Sequence, residues 1–336
     1  MPIAAILGCS GPTLLAEERE FFHRADPLGF ILFQRNCQSP EQVRQLVQDL
    51  RDAIDRPDAP VLIDQEGGRV ARLRPPAWRP TPAAGRFGVL AGQRPDIAAE
   101  AARLNAEMTG RDLADLGITV DCAPVLDLQL PGAHSVVGDR GFGADPELVA
   151  RLGRAVCDGL RSAGVTPVIK HMPGHGRALV DSHHELPQVD ASLDELRRTD
   201  FVPFRRLADM PWGLTAHVVY TAIDRERPAT TSPAVIAGII RGEIGFDGLL
   251  VSDDLSMEAL KGGIGDRAQR AVAAGCDIAL HCNGKLAEMR DVAAAVGRIA
   301  GETDRRLSRS GVGVPPAPRL DIAAMQSRLD ALLATA

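Results

Sequence analysis

Aromatic residues are scarce. Two Trp, one Tyr and nine Phe make up 4% of 336 residues, although 45% of the chain is apolar. A core of full size must therefore be aliphatic, built from Ala, Leu, Val and Ile. Basic charge is also short: Asp and Glu exceed Lys and Arg and leave a net charge of −6. A nucleic-acid footprint, which needs a basic face, is not expected. The six cysteines, Cys9, Cys37, Cys122, Cys157, Cys276 and Cys282, include no C-x-x-C pair. Neither a zinc knuckle nor a redox dithiol is indicated, and reduced thiols in a cytoplasmic protein are the expectation. No apolar run approaches the roughly 20 residues of a membrane helix. Ile6-Leu7-Gly8-Cys9 has the look of a lipoprotein processing box, yet no Lys or Arg precedes it and the apolar stretch is very short. A signal peptide needs both, so residues 3–7 read as a first buried strand. No linker and no break in composition divides the chain, so 1–336 is read as a single domain.

Short apolar runs alternate with longer helical patterns. Eight runs read as strands: Ile3–Leu7, Phe30–Phe33, Val61–Ile63, Ile118–Cys122, Pro167–Ile169, Gly213–Ala216, Leu249–Val251 and Ile278–His281. Each is apolar on both faces, as parallel strands covered by helices should be. Ser39-Pro40-Glu41-Gln42 carries an N-cap, a proline at the first helical position and a capping-box Gln. Val43, Leu46, Val47, Leu50 and Ile54 follow at helical spacing. Asp145-Pro146 opens another helix that Gly164 closes, Ser192 and Glu195 form a further capping box, and Ser232-Pro233 starts a helix ending near Gly245. Asp96 to Gly117 reads as one long helix, and Asp321 onward as a terminal helix packed outside. Eight strand–helix units predict an α/β fold of single-domain (β/α)8 TIM-like barrel type, with an open doubly wound sheet as the alternative.

In such a barrel chemistry sits where strands end. Asp64 follows Val61–Ile63, Lys170 and His171 follow Pro167–Ile169, His217 follows Ala216, and Ser252-Asp253-Asp254 follows Leu249–Val251. The stretch Lys170 to Pro187 holds four of the eight histidines and is long for a connection between strand and helix, which points to function. His171, His175, His183, His184 and Asp181 could ligate a metal, but their spacing matches neither H-E-x-x-H nor a carboxylate–histidine zinc pattern. The alternative is acid–base work. Asp181 and His183 share a face in extended backbone, so the carboxylate can fix the tautomer of an imidazole that exchanges a proton. Asp253, a carboxylate at a strand end, is the natural nucleophile for a retaining glycosidase, with His183 in place of the usual second carboxylate. Plainer roles stand beside these. Asp254 or Asp253 could cap the next helix; His175 could bond backbone within its turn; His184 could be solvent-facing or structural. His217 could be buried and satisfied, and Glu66 or Arg69 could simply pair with an opposite charge.

The segments Ile63-Asp64-Gln65-Glu66-Gly67-Gly68-Arg69-Val70, KHMPGHG at 170–176, Asp181-Ser182-His183 and Ser252-Asp253-Asp254-Leu255-Ser256-Met257 together resemble glycoside hydrolase family 3. More narrowly they are similar to its single-domain bacterial β-N-acetylglucosaminidases of peptidoglycan recycling, over about Gly29 to Asn283. The resemblance implies a (β/α)8-like barrel, Asp253 as nucleophile, and His183 as acid/base with Asp181 as its partner. It implies sugar binding by Asp64, Arg72, Arg140, Lys170 and His171, with no cofactor and no metal. The implied substrate is a small carbohydrate, GlcNAc–1,6-anhydroMurNAc-peptides or a related β-GlcNAc compound. The partner expectation is a monomer without nucleic acid or membrane. A phosphorylase on the same substrates, a metal-dependent hydrolase using the histidines and a non-catalytic sugar-binding barrel are the competing readings. The chain departs from the common family pattern at Met172, where Phe is frequent, and at Arg177-Ala178, where Asp-Thr is frequent. The first is expected to be a packing exchange, and the second to alter how the 170–187 loop docks.

Overall fold

The computed structural model describes residues 1–132, 137–180, 182, 185–311 and 321–334. Its strands are β1 (Ile3–Gly8), β2 (Pro27–Leu32), β3 (Val61–Ile63), β4 (Val120–Asp121), β5 (Thr166–Met172), β6 (Gln188–Val189), β7 (Trp212–Thr215), β8 (Val219–Tyr220), β9 (Leu249–Val251) and β10 (Ala279–His281). Among the described residues, eight of these form one parallel sheet in the order β10-β1-β2-β3-β4-β5-β7-β9. A parallel bridge pairs Val251 with Ile278, and the Ser252 N–H donates to the Ile278 carbonyl at 2.9 Å. These bonds bring β9 beside β10 and join the two ends of the sheet, so the barrel reading holds over the open-sheet alternative. β6 and β8 pair separately above it.

Both faces of the barrel strands are apolar because both are covered. Ala4, Ile6, Leu62, Val120, Val168, Trp212, Leu249 and Leu280 pack into one cluster, the barrel interior. Ile3, Ala5 and Leu7 belong to a second cluster with helix residues such as Leu46, Leu50 and Leu104, between sheet and helices. All six cysteines are unpaired and buried. Helix Pro40–Ala53 starts at Ser39, whose hydroxyl accepts from the Gln42 N–H, and helix Pro146–Ser162 starts at Asp145, which caps Glu147 and Leu148. The expected long helix is Pro95–Ala114, and Ile322–Leu333 packs against it through buried Leu329 and the Arg328–Glu100 ion pair.

Of the strand boundaries that differ from the sequence expectation, the ends of β4 and β5 do so for one reason. Pro124 has no N–H for the ladder, so β4 stops at Asp121, and Ala123–Val125 tracks β5 through scattered bonds. Val168 donates to Ala123, Lys170 to Pro124, and Leu126 back to Lys170. Supported in this way, β5 runs on to Met172, so Lys170 and His171 lie within the strand rather than beyond it. Met172 is buried in the outer core, its methyl group packed over Gly213 beside Phe246, which suits a packing exchange.

Candidate active site

The C-terminal ends of the strands surround a cavity of about 250 Å³ lined by Asp64, Glu66, Arg72, Asp127, Arg140, Lys170, His171, His175 and Asp253, with Phe33, Cys122, Met257 and Cys282 among its apolar walls. Asp64 leaves β3, Lys170 and His171 come from β5, and Asp253 stands two residues beyond β9. Arg72 and Arg140 come from loops. The tight Glu66-Gly67-Gly68 turn requires glycine: Gly67 has a φ of +102°, and a Cβ there would run into the Pro82 carbonyl.

The charged groups form a continuous chain. Arg72 Nη2 donates to Asp64 Oδ2 at 2.9 Å, and Lys170 Nζ donates to Asp64 Oδ1 at 2.8 Å. Lys170 also meets Glu66 Oε1 at 2.6 Å, and Arg140 grips Glu66 with two bonds of 2.7 and 2.8 Å. Burial opposes charge on Asp64, but Lys170 and Arg72 outweigh it and hold that carboxyl well below its usual range. Glu66 is likewise brought down to about 2 by Lys170 and Arg140 against the cost of burial. Lys170 is raised in return: burial disfavours its charge, and Asp64 and Glu66 more than restore it. Arg72, Lys170 and Arg140 thus share Asp64 and Glu66 between them along the wall of the cavity that Asp253 also lines. The guanidinium of Arg72 lies 4.9 Å from the centre of the Phe33 ring, a cation–π contact that holds it in place.

Asp127 organises the histidines. Its Oδ2 accepts from His171 Nδ1 at 2.6 Å, and its Oδ1 accepts the backbone N–H of His175 at 2.7 Å. Burial works against this carboxylate, but the His171 ring and the two donors hold it at about 2. Asp127 therefore sets which nitrogen of His171 carries hydrogen. Burial pushes the His175 ring down to about 4, so it is neutral, and its Nε2 lies 3.1 Å from the Ser182 hydroxyl. Asp127→Asn presents an amide where His171 needs an acceptor, and a roughly tenfold to hundredfold loss of kcat/KM is expected. The same substitution reports on acid stability. A carboxyl depressed to about 2 contributes stability above its ordinary value of 3.8 and loses it as the pH falls through about 2. Denaturant midpoints of the two proteins should thus differ at pH 7 and converge toward pH 2.

Similarity to known proteins accounts for this arrangement. The family description "Glycosyl hydrolase family 3 N terminal domain" matches residues 13–310. The chain belongs to glycosyl hydrolase family 3. A β-hexosaminidase of Alkalilimnicola ehrlichii is 43% identical over 286 residues, spanning 83% of this chain and 80% of that protein. Among solved structures, NagZ from Neisseria gonorrhoeae superposes with a TM-score of 0.88 at 32% identity, covering 99% of this chain and 98% of its own. A family 3 β-N-acetylglucosaminidase from a Paenibacillus species superposes with a TM-score of 0.82 at 34% identity; this chain spans 61% of that longer protein.

Asp253 of this family 3 chain is half-buried and faces the cavity. Its backbone N–H donates to Thr215 Oγ1 at 3.2 Å, and its Oδ1 accepts the Asp254 N–H at 2.8 Å. Thr215 meets Thr230 at 2.8 Å, and Thr230 meets His217 Nδ1 at 2.7 Å. His217 Nε2 lies 2.9 Å from the Asp254 carbonyl. Burial lowers the His217 pKa, and the Thr230 hydroxyl donates to the Ala216 carbonyl at 3.1 Å. His217 is thus a satisfied buried residue that braces the Asp253 turn from below. Neither aspartate caps the next helix, which begins at Ile264 behind Gly263; Asp254 instead accepts from Ser256 and from the Cys282 N–H within the turn.

Asp181, His183 and His184 lie outside the described residues. Nearby, Arg177 donates to Asp200 at 2.7 Å and Thr199 at 3.1 Å, and its Nη1 pairs with Glu195 at 2.7 Å. The departure from Asp-Thr therefore ties the start of the 170–187 loop to the helix that follows it. The phenol of Tyr220 reaches the same root and donates to the Gly174 carbonyl at 2.7 Å. Among the described residues, no group of three or more His, Cys, Asp or Glu is arranged to hold a metal.

Glu66 and Arg69 both prove to be charge partners, Glu66 of Arg140 and Lys170, and Arg69 of Asp139 at 3.0 Å. Asp127, Thr215 and Thr230 were not singled out by sequence reasoning. Asp127 directly follows the apolar pair Val125-Leu126, a strand-end signal hidden by taking the strand to end at Cys122. The two threonines carry no signal, because their role arises from contacts between distant segments.

Proposed function

We propose that this chain is a retaining β-N-acetylglucosaminidase that removes terminal, non-reducing β-linked GlcNAc. At the coarser level it is a glycoside hydrolase of the β-N-acetylhexosaminidase type, the activity for which its relatives are named. The observation that carries the finer reading is that Asp253 opens into the same cavity as the Asp64–Lys170 pair. Asp64 and His171 offer acceptors and donors to sugar hydroxyls, Lys170, Arg72 and Arg140 offer further donors, and a carboxylate stands at their edge. Asp253 attacks C1 while the C1–O bond to the leaving group breaks, and His183, oriented by Asp181, delivers its proton to the departing oxygen. In the second step water attacks C1, His183 takes the water proton, and the ester to Asp253 breaks.

The proposed substrates are wall fragments such as GlcNAc–1,6-anhydroMurNAc-peptides, handled in the cytoplasm by a monomer that needs no cofactor or metal and binds neither nucleic acid nor membrane. No helix among the described residues is long and apolar enough to cross a membrane. Proton NMR of the first product formed from a chromogenic β-GlcNAc substrate is expected to show the β-anomer. An α-anomer formed first would refute retention. A sugar 1-phosphate appearing only in phosphate buffer would reassign the enzyme as a phosphorylase, and activity lost to chelators and restored by a metal would favour the histidine-metal reading.

A further inference from the structure

One buried acid beneath the sugar-binding residues has no part in the reaction above. Asp121 ends β4 on the outer face of the barrel, 1% exposed. Its Oδ1 accepts the backbone N–H of Gln65 at 2.9 Å, while its Oδ2 is buried without a hydrogen-bond partner. Gln65 lies between Asp64 and Glu66, and its own Oε1 accepts the N–H groups of Arg72 and Leu73 at 2.9 and 3.0 Å. Asp121 therefore anchors the residue that sets the backbone of Asp64, of Glu66 and of the Arg72 loop.

Asp121 also lines a second, small cavity of about 30 Å³, together with Glu66, Asn105, Thr109, Arg140 and Phe142. That volume is room for about one water. The groups facing it from each side can be named. Asp64 and Glu66 come from the segment after β3, Lys170 from β5, the Cys122 thiol from the next position, and Arg140 from the turn beyond. Helix Pro95–Ala114 presents only neutral Asn105 and Thr109, which are engaged by Arg79. Lys170 is already shared between Asp64 and Glu66. A second carboxylate oxygen at Asp121 has no donor waiting for it, whereas an O–H there could donate into the small cavity.

We propose that Asp121 is a positioning residue for sugar binding: as a neutral acid it holds Gln65, and with it Asp64 and Glu66, in register with Lys170, and its ionisation places a buried charge short of donors behind Gln65, which loosens that register and the grip on the sugar. This rests on the β-GlcNAc reading of the cavity. Burial, with Asp64 and Glu66 adding to it against the Gln65 N–H and Lys170, raises the carboxyl to about 7, so the change falls in an accessible range.

Calorimetric titration of N-acetylglucosamine into the full protein across pH 6 to 9 tests this. The wild-type Kd should rise on the order of fivefold through neutrality. Asp121→Asn keeps the acceptor for Gln65 and stays neutral, so its Kd should remain flat. Asp121→Ala, which loses the Gln65 bond, should bind weakly throughout. A wild type whose Kd does not change, or an Asn variant that tracks its rise, overturns the proposal. Infrared difference spectra between wild type and Asp121→Asn read the acid without any sugar: a carboxylic-acid carbonyl band should be present at pH 6 and gone at pH 9. Absence of that band at pH 6 overturns the inference whatever the enzyme cleaves. A wild type that shows the band yet binds no N-acetylglucosamine refutes the sugar reading and the binding role with it.

Discussion

Asp253→Ala is expected to fold like the wild type and to lose at least about 10⁴-fold in kcat. The fold should tolerate the change because the bond that pins this turn to Thr215 comes from the backbone N–H and not from the side chain. His217 continues to support the turn from beneath through the Asp254 carbonyl. KM should move little, since Asp64, Arg72 and Lys170 keep their mutual bonds without residue 253. An effect confined to kcat is the signature of a group engaged in the reaction rather than in ground-state binding. Steady-state rates on a chromogenic β-GlcNAc substrate, with denaturant midpoints alongside, measure both halves. A slow 2-fluoro sugar should leave a covalent adduct that peptide mass spectrometry locates on Asp253 in the wild type and nowhere in the variant. Near-normal turnover by the alanine enzyme would defeat the assignment.

Lys170→Met should be the most destabilising single change at the site. The Lys170 side chain is 4% exposed and bridges two carboxylates that are 16% and 5% exposed. Removing it leaves Asp64 and Glu66 side by side with one arginine each, and breaking a buried ion pair of this kind costs about 3–5 kcal/mol. The raised pKa of Lys170 makes its contribution fully present below the ordinary lysine value, so the whole effect appears at neutral pH. Asp64 and Glu66 are depressed, and the stability they contribute above the usual carboxylate range fades as they are protonated. Wild type and variant should therefore converge in acid. Urea unfolding at pH 7 and toward pH 2 checks this, and an unchanged difference between the two would mean that the pairs do not supply the stabilisation. KM should rise as well, because the variant loses a donor to the sugar and the spacing of two acids.

The barrel could be read from sequence because each strand is apolar on both faces and flanked by helix caps and stops that punctuate the chain. The errors have local causes. Pro124 ends one ladder early and prolongs its neighbour, which periodicity alone cannot reveal. The two-residue strands Gln188–Val189 and Val219–Tyr220 are too short to carry any period. At the site, Asp64, Lys170, His171 and Asp253 announce themselves as polar groups at strand ends. Arg72 follows the same strand end as Asp64, whereas Arg140 has no such pattern and entered only through family resemblance, yet both line the same cavity. Asp127 and Asp121 illustrate what sequence cannot display: each matters through one or two bonds to backbone that is 44 to 56 positions away in the chain.

Tyr220 is the only tyrosine in the chain, and it is buried with its hydroxyl on the carbonyl of Gly174, at the root of the segment that leads to Asp181 and His183. Its tyrosine absorption and fluorescence therefore belong to a single site, and that site stands next to His175, which lines the cavity. The protein carries an intrinsic optical probe there, so movements of this root during turnover can be followed without attaching a dye.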